Sequence, residues 1–230
     1  MERRSLEDRA KGLRELDINT DTLPIKRALG VSWYVEVDCF QFKIELKDKP
    51  LSRRGILSTI SSICDLLWFA APVVLVEKII LQELCRSKVD WDDPVPDSLR
   101  PRWEKWRNEI HLLGDLQINR CLKPTNFGEV KAIELYHFSD ACEVGYGQCT
   151  YVRMLNQNSF LIGKARVTPA NKMITIPRLE LAAAVVSAKI SDLVKRELRY
   201  EHLKEFFWVD SKVVLGYINN EKQEIPCVCS

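Results

Sequence analysis

Three carboxylates in the second half of the chain stand where chemistry is commonly done, at the ends of regular elements. Asp140 closes the strand-like run Ile133 to Asp140 (IELYHFSD). Glu180 falls in the first turn of a helix opened by Pro177, in Ile176-Pro-Arg-Leu-Glu-Leu. Asp210 follows the short apolar run Phe206 to Val209 (FFWV). If the first and fourth strands of this half are neighbours in one sheet, Asp140 and Asp210 emerge side by side. A helix packed across that sheet brings Glu180 to the same corner. Three hard oxygen donors at one spot repel one another unless a cation neutralises them, and carboxylate and water ligands suit Mg²⁺ or Mn²⁺. Two such ions about 3.5–4 Å apart activate a water and stabilise a leaving oxygen in phosphodiester hydrolysis. Each acid taken alone also has a simpler role. Glu180 complements a helix dipole, and Asp140 and Asp210 cap the turns that follow them.

The pattern of apolar residues sets the elements that position these acids. Residues 1–28 are mostly charged, with a weak helical period at Leu6, Leu13 and Leu16. Alternation over residues 29–46, with a phase change near Asp38-Cys39, predicts two antiparallel strands. Ser52 caps a helix carrying Ile56, Leu57, Ile60 and Ile63, and Pro72 restarts a second one through Leu84. A third helix spans Ser98 to Leu113, with Trp103, Trp106, Ile110 and Leu113 on one face as core. Residues 114–131 read as a connector. After it the expected order is β-β-β-α-β-α, with strands at 133–140, 145–153 and 160–167 and a turn at 156–159. A long helix then carries Leu179, Val186, Ile190, Leu193 and Val194 on one face, with Ala182 to Ala184 allowing close approach. The apolar strand 206–209 is expected at the centre of a covered sheet, and Ser211 caps a last helix through Ile218.

Composition narrows the classes. The chain has 230 residues, 46% hydrophobic and 29% charged, which fits a globular protein of one large or two small domains. Lys+Arg exceed Asp+Glu by 34 − 32 = 2, so any nucleic-acid contact must rest on local patches rather than on the whole-protein field. Eight scattered Cys, no CxxC pair and a charged start without an apolar core point to reduced thiols in an intracellular protein, cytoplasmic rather than nuclear and not secreted. The longest apolar run, Leu66 to Val76, would rise only about 16 Å as a helix. It is read as a buried helix, and no membrane partner is expected.

With these elements in order, exact strings become informative. They are Leu29-Gly-Val-Ser-Trp33 with Asp38 and Phe40; Ser52-Arg-Arg-Gly-Ile-Leu-Ser58; Ala71-Pro-Val-Val74; Lys78 with Gln82-Glu-Leu84; Trp91-Asp-Asp-Pro94; and Trp103 and Trp106. The series continues through Phe138-Ser-Asp-Ala141, Gly163-Lys-Ala-Arg-Val-Thr-Pro169, Ile176-Pro-Arg-Leu-Glu-Leu-Ala-Ala183 and Trp208-Val-Asp-Ser211. Together they resemble the BEL/Pao long-terminal-repeat retrotransposons, from about residue 29 to 220. The label "Pao retrotransposon peptidase" is often used for this region, yet the sequence holds no Asp-Thr/Ser-Gly motif and no Ser-His or Cys-His pair at a recognisable spacing.

The resemblance implies an α/β fold, α+β overall. A helical thumb and connection region precedes a truncated ribonuclease H-like mixed sheet with flanking helices. Residues 1–50 would be the end of a polymerase palm, 51–131 the thumb and connection, and 132–230 the ribonuclease H-like part. It implies that Asp140, Glu180 and Asp210 are catalytic and hold Mg²⁺ or Mn²⁺. It also implies nucleic-acid contacts at Arg53, Arg54, Lys164, Arg166 and Arg178; a solvated face is the alternative for the first pair. The expected partners are an RNA–DNA hybrid or other nucleic acid and the rest of a polyprotein. No Tyr-x-Asp-Asp motif is present, so polymerisation is not expected. The chain stops 20 residues after Asp210, before the family's fourth acid. Three functions therefore stand open: a hybrid ribonuclease within an intact polyprotein, a non-catalytic nucleic-acid-binding remnant, and a decayed element without activity.

Overall fold

The computed structural model describes residues 26–28, 31–63, 65, 67–122, 132–154, 157–198 and 203–220. The expectations for residues 1–25, for the turn residues 123–126 and for the tail beyond 220 lie outside them.

The first sheet is antiparallel and runs in the order β1 (Lys26–Ala28), β2 (Val31–Tyr34), β3 (Cys39–Phe42), β4 (Gln117–Asn119). The β2–β3 hairpin turns at residues 35–38, where Asp38 takes a left-handed φ of 48°. The Asp38 carboxylate accepts from Trp33 Nε1 at 3.0 Å and from Arg120 Nε and Nη2, so the hairpin tip is tied to the end of β4. Those bonds hold the Asp38 carboxyl below its usual pKa, with Arg120 the main cause. The strand β4 lies in a stretch read from sequence as connector. Three residues with an exposed–half-buried–exposed pattern carry too little alternation to announce a strand.

Helix α1 (Arg53–Ser61) starts at Ser52, whose hydroxyl accepts from the Gly55 amide. Gly55 is required by close approach. A Cβ there would lie 2.0 Å from the Pro50 carbonyl oxygen. Two strings far apart in sequence meet at this point. Arg53 lies over the Trp91 ring at 4.0 Å, and Arg54 makes a bidentate pair with Asp92 at 2.7 and 3.1 Å. The apolar run 66–76 is not one buried helix. Leu67 is exposed, residues 67–70 form a turn, and the helix begins only at Ala71. Pro72 sets that boundary, since proline suits the first turn of a helix and not its interior.

Helices α2 (Ala71–Arg86) and α3 (Arg100–Glu109), with a 3₁₀ turn at Ile110–Asp115, close the first core. Ile56, Ile80, Leu84, Trp103, Trp106 and Ile110 are buried there, and Trp106 Nε1 donates to the Val73 carbonyl. The expected Trp face is core.

The second sheet is mixed, in the order β7 (Gln157–Val167), β6 (Gly145–Met154), β5 (Ile133–Ala141), β8 (Leu203–Trp208). Only β5 and β8 are parallel. A parallel pair needs a long crossover, supplied here by α4 (Ile176–Leu198), while α5 (Lys212–Ile218) follows β8. Alternation puts Ile133, Leu135, His137 and Ser139 on the face against α4 and leaves Glu134, Tyr136, Phe138 and Asp140 on the other. Helix α2 covers the β6–β7 half of that second face. Leu75 reaches the space beside Gly145, Phe69 packs on Phe160 at 4.8 Å, and Gln82 donates to Thr168.

The placement of the apolar strand corrects an expectation. β8 is an edge of the sheet among the described residues, not its covered centre. Phe206, Phe207 and Trp208 are 38, 54 and 56% exposed. A wholly apolar run marks a strand without hydrated side chains. It does not say whether the elements that cover its two faces are present.

Candidate active site

The parallel register of β5 and β8 decides where two of the three acids lie. Tyr136 pairs with Phe206 and Phe138 with Trp208. Two residues further along each chain come Asp140 and Asp210, just beyond the last paired residues, so both lie at the same end of the neighbouring strands. Both are exposed. Asp140 Oδ1 accepts from the Ala141 amide. Asp210 directly precedes Ser211, whose hydroxyl caps α5 by accepting from Val214 N.

The third acid arrives by helix packing. Ile190 and Val194 of α4 share a core with Ile133, Leu135, Val152 and Met154, which fixes the second half of the helix over the start of β5. Going back from Ile190 to Glu180 covers about 15 Å of helix. Going from Leu135 to Asp140 covers about 17 Å of strand. The first turn of α4 therefore lies at the end of the sheet where Asp140 and Asp210 emerge. Leu179 and Ala183 are buried against the sheet, and Glu180 between them is half-exposed.

None of the three carboxylates forms an ion pair with a described side chain. By donor type the set fits a hard divalent cation. No group of three or more His, Cys, Asp or Glu side chains among the described residues comes close enough to hold an ion as it stands.

The basic candidates separate. Arg178 is exposed in the first turn of α4, two residues before Glu180 and so on a different side of the helix. Lys164 and Arg166 lie on β7 opposite Gln148 and Tyr146, on the α4 side of the sheet. Arg53 and Arg54 stand apart from the acids, engaged by Trp91, Asp92 and the Val89 carbonyl. An apolar cavity of about 340 Å³, lined by Phe40, Phe69, Ile118, Phe160 and Leu193, contains none of the three acids.

Beneath the site runs a polar network that sequence patterning did not single out. His137 is fully buried, with Nδ1 2.9 Å from Thr150 Oγ1. The Thr150 hydroxyl donates onward to Gln148 Oε1 at 3.0 Å. His137 Nδ1 must therefore carry the proton it donates to Thr150. On the other side, His137 Nε2 lies 3.6 Å from Glu205 Oε1. Burial lowers the His137 pKa against the pull of Glu205. The unfolded chain takes up that proton at the ordinary value of 6.5, so this contribution to stability is intact above pH 6.5 and is lost as pH falls below it. Urea unfolding of the parent is expected to weaken between pH 6.5 and 5, and the slope is expected to flatten in His137→Gln. An equal slope in both proteins would rule the histidine out.

Residues 52–211 match the family described as Pao retrotransposon-like RNaseH-like domain. The match spans most of the chain and both strings that carry the sheet acids. The chain belongs to that family. No curated protein matches it significantly. Among solved structures it is similar to the foamy viral protease-reverse transcriptase in complex with dsDNA. The TM-score is 0.47 at 11% identity, over 87% of this chain and 40% of that one. The foamy viral protease-reverse transcriptase dRH in complex with ds DNA gives 0.45 at 11% identity, over 87% of this chain and 38% of that one. The Pao-type chain thus spans about two fifths of the length of those proteins. No helix among its described residues is long and apolar enough to cross a membrane.

Proposed function

We propose that the ribonuclease H-like half of this Pao-type chain hydrolyses the RNA strand of an RNA–DNA hybrid as part of a larger retrotransposon polyprotein. The observation that carries the reading is the pairing of β5 with β8, which delivers Asp140 and Asp210 to one end of the sheet where α4 presents Glu180. In the proposed site these three carboxylates hold Mg²⁺ or Mn²⁺, which supplies an activated water and charge neutralisation at the scissile phosphate. Arg178 in the first turn of α4, with Lys164 and Arg166 along β7, offers cationic contacts to the phosphate backbone. Arg53 and Arg54 contact nucleic acid in this reading only in competition with Trp91 and Asp92. A non-catalytic binding role is the alternative, and it needs the basic residues without the acids.

Titration with Mn²⁺ followed by calorimetry separates the two. The parent is expected to bind at millimolar concentration, and Asp140→Asn is expected to weaken binding at least tenfold. Identical heats in parent and variant would overturn the catalytic reading.

A further inference from the structure

We infer that Glu205, with Ser191 and Lys195, is a positioning device that fixes the register of α4 on the sheet and so sets where Glu180 stands. The inference rests on the proposed function for its consequence, but its geometry is independent of it. Apart from this network, the buried residues of α4 are Leu179, Ala183, Ile190, Val194 and Ser187, whose hydroxyl has no hydrogen-bond partner among the described residues. Their contacts are non-directional, and a helix held by them alone tolerates small sliding and rotation. Glu205 removes that freedom. Its Oε2 pairs with Lys195 Nζ at 2.7 Å and its Oε1 accepts from the Ser191 hydroxyl, both on α4. The same Oε1 lies 3.6 Å from His137 Nε2 on β5, with no hydrogen bond between them. One carboxylate thereby connects β8 to two successive turns of the helix.

The surroundings support a specific arrangement rather than a chance contact. Ser187, Ser191 and His137 are all nearly inaccessible, and Glu205 is largely covered. Burial works against the Glu205 charge, but the Lys195 and Ser191 hydrogen bonds and the nearby charges hold its pKa below the usual value. The carboxylate thus stays ionised as the acceptor for both helix donors. The charged groups around it are Lys195 and Asp192 on α4 and His137 on β5. The helix continues from this clamp for about 16 Å to Glu180 with no break. A shift of one helical residue at Ser191 therefore appears undiminished at Glu180.

The test compares the parent, Glu205→Ala, Glu205→Gln and Lys195→Met with Ile56→Ala, a core variant in α1 that loses stability without touching α4. In metal-free protein, hydrogen exchange at the amides of residues 180–184 is expected to rise at least tenfold in Glu205→Ala and Lys195→Met. Glu205→Gln, which keeps an acceptor for Ser191, is expected to fall between. Ile56→Ala is expected to leave those amides as in the parent once its global stability is matched by temperature. Mn²⁺ affinity should follow the same order. The positioning role is overturned if Glu205→Ala exchanges at these amides no faster than matched Ile56→Ala. If the parent binds no Mn²⁺, the proposed function fails, while the exchange comparison still decides the clamp.

Discussion

Replacing Asp140 or Asp210 by Asn is expected to slow cleavage of RNA in a hybrid by about 10³-fold or more, roughly 4 kcal/mol of transition-state stabilisation. The substitution keeps shape and removes charge, so it isolates the anionic oxygens. The two positions should behave alike because the parallel register delivers them to the same end of neighbouring strands. Single-stranded RNA should be spared by parent and variants. The measurement is Mg²⁺-dependent cleavage of a labelled hybrid, by this chain and by a longer form that continues its reading frame. An Asp210→Asn protein that cleaves as fast as its active parent would remove the sheet acids from the chemistry.

The second large effect lies away from the site. Glu77 in α2 is fully buried, and neither carboxylate oxygen has a hydrogen-bond partner among the described residues. Burial pushes its pKa from 4.5 up to about 8, against the opposing charge of Arg102. The folded protein therefore keeps Glu77 protonated at neutral pH, while the unfolded chain ionises it above pH 4.5. Stability from this group is full below pH 4.5 and is lost progressively as pH rises toward 8. At about 1.36 kcal/mol per pH unit, the loss by pH 7 is about 3 kcal/mol. Glu77→Leu removes both the ionisation and the unpaired oxygens at similar volume. It is expected to raise stability by about 3 kcal/mol at pH 7 and by much less at pH 4.5, read from urea midpoints. A gain independent of pH would show that packing, not ionisation, is at work. Since the His137 loss runs below pH 6.5 and the Glu77 loss above pH 4.5, the parent should be most stable in mildly acidic solution.

Much of the local structure was legible in the residues. Ser52 and Ser211 read as caps, and both hydroxyls accept from an amide three residues on. Pro72 read as a helix start and Trp103–Trp106–Ile110 as a buried face. These signals are local: a side chain reaching its own backbone, a fixed φ, a period of 3.6. The hydrophobic face of α4 was read from Leu, Val and Ile, yet the residues most deeply buried there include Ser187 and Ser191. Serine gives no apolar signal, and the burial of Ser191 makes sense only once Glu205 arrives from another strand to accept its hydroxyl.

The order of the strands and helices and the family of these strings can be read along the chain. What those residues meet is a matter of packing between distant segments. The strings at 52–55 and 91–94 bind each other, and α2 covers part of a sheet built some 80 residues later. β8 stands at an edge, and His137 and Glu205 face each other across parallel strands. The physical reason is separation along the chain. Caps, turns and periods act within a few residues, whereas Asp140 and Asp210 lie 70 residues apart. They come to the same end of the sheet because α4 returns the chain to pair β8 beside β5 in one particular register, and a slip of one residue would turn Phe206 and Trp208 to the opposite face.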